Sequence, residues 1–199
     1  MIVWKVIRGM TLRMLININI PNSITCLRIF FIPILALLAI KDMKNTFLFF
    51  LGCSFLSDVL DGYLARLLNQ TSDLGAKLDS VADTLTYAMM IFGLYTLWPD
   101  QYTEHSVFVY VAILCYVLTI LISAFKFGQI PSYHTLGAKI AAVFLAPAYF
   151  GLVLFDIGIW FKLVVVLYAL VAIEELIITF ILKRPEKNIN SVFALFRRI

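Results

Sequence analysis

The sequence predicts an all-α fold: an integral membrane bundle of six transmembrane helices, preceded by an N-terminal amphipathic helix that lies at the membrane interface. Three observations carry this. Of the 199 residues, 62% are hydrophobic and only 14% charged, whereas a soluble domain is apolar in about half of its residues. Apolar runs recur at roughly 24 to 40, 46 to 68, 79 to 98, 106 to 127, 136 to 156 and 158 to 182, each near the roughly 20 residues that cross a bilayer as a helix. Only short polar breaks separate the runs, with no Ser/Gly linker, low-complexity segment or internal repeat. Residues 1–199 therefore read as one domain, with 24–182 as its transmembrane core.

Residues 1 to 17 place Ile2, Val3, Val6, Met10 and Met14 near one helical face, interrupted by Lys5, Arg8 and Arg13, with Trp4 close to the end. That is the pattern of a helix lying on the membrane. A signal peptide is discounted, because no small-residue cleavage site follows the first apolar span. The first span starts in Asn19-Ile20-Pro21-Asn22-Ser23-Ile24-Thr25. Proline is tolerated in a first helical turn, where its missing N–H has no partner to lose, and Asn22 or Ser23 can cap. Asn22, Thr25 and Arg28 then recur at i, i+3 and i+6. Only the short turn Asp156 to Gly158 separates the last two spans.

Six spans put both termini on one side of the bilayer, and the basic residues say which. Thirteen of the sixteen, namely Lys5, Arg8, Arg13, Arg28, Arg66, Lys77, Lys126, Lys139, Lys183, Arg184, Lys187, Arg197 and Arg198, fall on the termini side, against Lys41, Lys44 and Lys162 opposite. The positive-inside rule makes the termini side cytosolic. Because these cations lie between and beyond apolar spans, the net charge of +4 is read as topology and anionic headgroups, with no nucleic-acid partner. Trp98 and Trp160, near the opposite ends, read as interfacial anchors. Cys26, Cys53 and Cys115 are odd in number and widely spaced inside apolar runs, so they read as reduced packing residues.

Charge within this apolar chain is concentrated between Asp58 and Asp83. At about 100° per residue, Asp58, Asp61, Gly62 and Ala65 fall within one arc of a helix, while Asp79 and Asp83 share a face of the next. A hairpin through the polar tract Asn69 to Ser72 brings all four carboxylates together. Such a cluster repels itself unless cations neutralise it. Oxygen ligands in that number suit Mg²⁺, Mn²⁺ or Ca²⁺ rather than zinc, and the number fits two metals. Gly62, Ala65 and Gly75 leave room for a bulky ligand, and Arg66 can reach an anion. Together these residues describe a site for a metal-bound pyrophosphate, and ionisable residues at membrane depth are functional by default.

The pattern Asp58-x2-Asp61-Gly62-x2-Ala65-Arg66-x8-Gly75-x3-Asp79-x3-Asp83 resembles, at every defined position, the signature of the CDP-alcohol phosphotransferase (CDP-alcohol phosphatidyltransferase) family. Pro21-Asn22-x2-Thr25-x2-Arg28 is similar to the start of the first span in many members. The resemblance implies a phospholipid-synthesis enzyme that transfers a phosphatidyl group from CDP-diacylglycerol to an alcohol and releases CMP. It implies two Mg²⁺ or Mn²⁺ ions held by Asp58, Asp61, Asp79 and Asp83, with Asp83 as the base. Asn22, Thr25, Asp61, Gly62, Ala65, Arg66 and Gly75 would bind the CDP donor. The expected setting is a homodimer in a bacterial or archaeal cell membrane.

For the acceptor, Lys126, His134 and Lys139 lie on the cytosolic side between the fourth and fifth spans and are expected to form a cationic pocket. That suits a phosphorylated alcohol, with glycerol 3-phosphate the first choice. Phosphatidylglycerophosphate synthases typically carry an Ala-Arg-Glu tract near the fourth span, and here the nearest tract is Ser123-Ala124-Phe125-Lys126. The departure leaves inositol phosphate, serine or another alcohol open. Glu174 and Glu175, inside the last span, are expected to pair with a basic residue or to face a dimer partner. A divalent-cation transporter would explain four Asp at membrane depth, but neither Arg66 nor the small residues.

Overall fold

The computed structural model describes residues 20–68, 70, 72–128, 135–182, 184, 189, 191, 192 and 195. The amphipathic helix expected over residues 1–17 and the candidate His134 lie outside them. Among the described residues the chain forms α1 (Ile20–Ile40), α2 (Lys44–Leu67), α3 (Asp73–Leu97), α4 (Pro99–Glu104), α5 (Ser106–Phe127), α6 (Leu136–Phe155) and α7 (Gly158–Ile181), with no strand. Five of these, α1, α2, α5, α6 and α7, are long and apolar enough to cross a membrane. The remaining long helix, α3, has 25 residues, so at a rise of ~1.5 Å it is about 37 Å long and also long enough. Its first half carries Asp79, Ser80, Asp83 and Thr84, which dilute its apolar character.

The helices divide between two compact units, Met1–Leu97 and Trp98–Ile199. In the first, α1 packs against both α2 and α3, more extensively than these two pack on each other. Its core is built from Leu35 and Ala39 on α1, Phe47 and Leu51 on α2, and Ala82, Met90 and Leu94 on α3. A tight turn joins α1 to α2, with Asp42 at φ 54°, a left-handed conformation that Asp tolerates better than most residues. The chain leaves α2 at Leu67 and re-enters helix at Asp73, six residues before the predicted start of the third span. Ser72 sets that boundary: its Oγ accepts a hydrogen bond from the Gly75 backbone N–H at 3.0 Å, satisfying one of the amides that a helix N-terminus leaves unpaired.

In the second unit α7 packs against both α5 and α6. Val109, Tyr149, Leu152, Phe161, Val165, Ala172 and Ile178 are buried there. The short α4 was not expected from hydropathy, but its start is chemically ordinary, with Pro99 in the first turn and Asp100 beside it at the positive end of the helix dipole. His105 joins α4 to α5 and is buried against Gly158, where an added Cβ would overlap its ring. The α5 helix ends on Gly128 in the left-handed region, and α6 starts on Thr135, whose Oγ1 accepts from Ala138 N–H at 3.2 Å. Glu174 accepts a hydrogen bond from the Val192 backbone N–H at 3.0 Å, so it anchors the segment that follows α7. Ile178, Leu182, Ile189 and Leu195 close a small apolar cluster beside that anchor. All three cysteines are free, Cys26 on an exposed face.

Candidate active site

The site is assembled by the first unit from one end of α2, the start of α3 and one face of α1. Spacing of three puts Asp58 and Asp61 on a common face near the end of α2, and spacing of four does the same for Asp79 and Asp83 early in α3. After the polar tract α3 returns to pack on α1 and α2, and one carboxylate oxygen from each of Asp58, Asp61 and Asp79 lies within 4.8 Å of the others. Asp61 is the most enclosed, its side chain 7% exposed, while those of Asp58 and Asp79 are 40% and 44% exposed. The cluster is thus open on one side and sealed on the other.

Arg28 provides the seal. Its side chain is 1% exposed, and Nη1 donates to Asp58 Oδ1 and, at 2.8 Å, to Asp83 Oδ1. Nη2 donates to Asp61 Oδ2 at 3.1 Å and to Asp79 Oδ1 at 2.6 Å. Each nitrogen therefore ties one carboxylate of α2 to one of α3, which the planar fork of a guanidinium permits and an ammonium would not. One turn earlier, Thr25 Oγ1 lies 2.7 Å from Asp61 Oδ2 and 3.1 Å from Pro21 O, and its single proton serves one of them at a time. One turn earlier again, Asn22 is buried against α3. A Cβ on Gly75 would sit 2.7 Å from Asn22 Oδ1, so the space that this glycine leaves is filled by Asn22.

The other expected residues have plainer surroundings. Arg66 is exposed, and its guanidinium lies over Gly62, where a Cβ would meet Nη1 at 3.7 Å. Ala65 is half-buried. Lys126, in the last turn of α5, donates to the Phe180 carbonyl at 2.9 Å and lies over the Phe127 ring. Lys139 is exposed early in α6. Sequence reasoning missed Arg28 as a member of the cluster. The available signal was its helical register with Asn22 and Thr25, which places all three on the face of α1 that meets the carboxylates.

Four carboxylates against one guanidinium leave three negative charges in excess at the cluster. In an apolar setting that excess calls for further cations. The donors are all carboxylate oxygens, three of them already within mutual reach, and this is the chemistry of a hard divalent ion. The residues present therefore fit Mg²⁺ or Mn²⁺.

A family model described as CDP-alcohol phosphatidyltransferase matches residues 18–181, from just before α1 to the last residue of α7. The chain belongs to this family. Among curated members, the CDP-diacylglycerol--glycerol-3-phosphate 3-phosphatidyltransferase of Pseudomonas fluorescens is 42% identical over 80 residues, 37% of this chain and 39% of the relative. The CDP-diacylglycerol--inositol 3-phosphatidyltransferase of Candida albicans is 40% identical over 88 residues, 44% of this chain and 37% of the relative. The cardiolipin synthase (CMP-forming) of Homo sapiens is 37% identical over 77 residues, 38% of this chain and 26% of the relative. The matches thus span less than two fifths of each of these family members. No solved structure matches the chain.

Proposed function

We propose that this protein transfers the phosphatidyl group of CDP-diacylglycerol to an alcohol and releases CMP, with glycerol 3-phosphate as the acceptor. The observation that carries the reading is the convergence of Asp58, Asp61, Asp79 and Asp83 from two helices on one point. In the reaction the acceptor oxygen forms a bond to the phosphatidyl phosphorus, the bond from that phosphorus to the bridging oxygen breaks, and CMP departs with that oxygen. Asp58, Asp61, Asp79 and Asp83 would hold two Mg²⁺ or Mn²⁺ ions. When bound, these ions supply the positive charge that neutralises the pyrophosphate and the departing CMP.

The remaining work belongs to the chain's own groups. Asp83, a third exposed and the last carboxylate of the motif, takes the proton of the acceptor hydroxyl. Thr25 fixes Asp61 through their hydrogen bond, and Asn22 is held against Gly75 at the same face of α1. Gly62 and Ala65 keep the α2 face low so that the donor approaches, and Arg66, lying over Gly62, binds a phosphate oxygen. Lys126, His134 and Lys139 receive the phosphate of the acceptor. Glycerol 3-phosphate is favoured because a basic loop suits a phosphorylated alcohol and the Pseudomonas relative carries that acceptor in its name. The Candida relative names inositol instead, which keeps inositol phosphate in the comparison.

Purified protein given CDP-diacylglycerol, Mg²⁺ or Mn²⁺ and a panel of glycerol 3-phosphate, inositol phosphate, inositol and serine tests this. CMP release with formation of phosphatidylglycerophosphate is expected for glycerol 3-phosphate alone. A preference for unphosphorylated serine would remove the acceptor assignment and the cationic pocket together. The cytosolic placement of the site is checked with single cysteines in a variant lacking Cys26, Cys53 and Cys115. One near residue 102 is expected to react with an impermeant thiol reagent outside intact cells, and one near residue 187 to resist it; the reverse pattern would overturn the orientation.

A further inference from the structure

We propose that Arg28 is a resident counter-cation of the carboxylate cluster, holding it together without metal and giving way as divalent cations bind, so that it sets the site's metal affinity. The proposal rests on the reading that Asp58, Asp61, Asp79 and Asp83 take divalent cations. Arg28 is the most enclosed charged side chain of the cluster and contacts one oxygen of every carboxylate in it. Its Nε is buried without a hydrogen-bond partner among the described residues, so the guanidinium is held by its two terminal nitrogens alone. Those nitrogens bond to Asp58 Oδ1, Asp61 Oδ2, Asp79 Oδ1 and Asp83 Oδ1, drawing on the same limited set of oxygens that a hard cation needs. A guanidinium and a divalent ion that both claim these oxygens also repel each other.

Competition therefore follows from geometry and from sign. The exposed edges of Asp58 and Asp79 give an ion access from the open side, opposite the buried guanidinium. By linkage, whatever Arg28 contributes to the metal-free arrangement is subtracted from metal affinity. Two roles then belong to one side chain: it prevents four carboxylates from forcing α2 and α3 apart, and it keeps the ions exchangeable.

Calorimetric titration of Mn²⁺ into chelator-stripped wild type, Arg28→Gln and Arg28→Lys tests the proposal, alongside thermal melting with and without Mn²⁺. Arg28→Gln is expected to bind Mn²⁺ about tenfold or more tightly than wild type, a coupling of ordinary size. Without metal it melts several degrees lower, and saturating Mn²⁺ closes the gap. Arg28→Lys keeps the charge but loses the fork that reaches all four carboxylates, and is expected to fall between wild type and Arg28→Gln in affinity. Should Arg28→Gln fold only with Mn²⁺ present, loss of its Mn²⁺ to excess chelator is measured instead and is expected to be slower than from wild type. Equal or weaker Mn²⁺ binding by Arg28→Gln, or faster loss to chelator, overturns the role of Arg28 while leaving the metal site standing. Absence of Mn²⁺ binding in every protein overturns the metal reading and this inference with it.

Discussion

Arg28 and Lys126 are both lone cations near one end of a long apolar helix, and their surroundings could hardly differ more. Arg28 is buried on α1 with four carboxylates shared between its two terminal nitrogens. Lys126 is exposed at the end of α5, with Nζ on the Phe180 carbonyl and its charge over the Phe127 ring. Phe180 lies in the last turn of α7, where carbonyls lack intrahelical partners, so Lys126 satisfies a helix C-terminus and favours its dipole. A cation is drawn into the apolar interior only where neighbouring helices supply a surplus of opposite charge. Buried hydroxyls of both units, Ser57 and Thr86 in the first and Thr119 and Thr179 in the second, bond back to carbonyls on their own helices, whereas Asn22, Thr25, Arg28 and Asp61 of the first line one seam between helices.

Substitutions break or sharpen this comparison in order of expected effect. Asp58→Ala or Asp79→Ala removes a carboxylate from the shared cluster, and CMP release is expected to fall by about 10³-fold or more. Retention of even a tenth of wild-type turnover would mean that the convergence is architectural. Asp83→Asn keeps shape and one oxygen but accepts no proton. It is expected to bind CDP-diacylglycerol normally by calorimetry while losing roughly 10² to 10⁴ in single-turnover CMP release. Loss of donor binding along with turnover would make Asp83 chiefly a ligand.

In the second unit the effects are smaller. Lys126→Ala is expected to raise the apparent KM for a phosphorylated acceptor by roughly tenfold, the worth of one charge-assisted hydrogen bond, with donor affinity little changed. An unchanged acceptor KM with a lowered melting temperature would leave Lys126 as a cap on α7 and nothing more. Smallest is a paired test of two glycines that each sit against a buried polar side chain. Gly75→Ala meets Asn22 and Gly158→Ala meets His105, and each is expected to cost about 1 to 3 kcal/mol by overpacking. Assayed where both remain folded, only Gly75→Ala should slow CMP release.

Much of this architecture was legible before any coordinates. Runs of apolar residues located six long helices, most ends falling within two or three residues of the observed ones, because charge and proline are scarce enough for each break to be visible. The spacing of the four Asp indicated their convergence, and α3 does return to pack on α1 and α2. Two local features were missed. The polar residues before Leu78 hid the early start of α3, which depends on Ser72 as a cap rather than on hydropathy. The apolar count likewise passed over α4, although Trp98-Pro99-Asp100 carries the chemistry of a helix start. The place of Arg28 had a different obstacle. Helical register puts it beside Asn22 and Thr25, but only the packing of α1 against both α2 and α3 shows which carboxylates it meets.

That packing matters to function only if the carboxylates it gathers hold cations during turnover. The direct measurement is CMP release from CDP-diacylglycerol and glycerol 3-phosphate by thoroughly chelated protein, before and after Mg²⁺ or Mn²⁺ is restored, in wild type and in Asp61→Ala. Wild type is expected to be silent when chelated and to recover fully with either ion, while Asp61→Ala stays silent throughout. Full turnover in the chelated wild type would contradict the account at its centre.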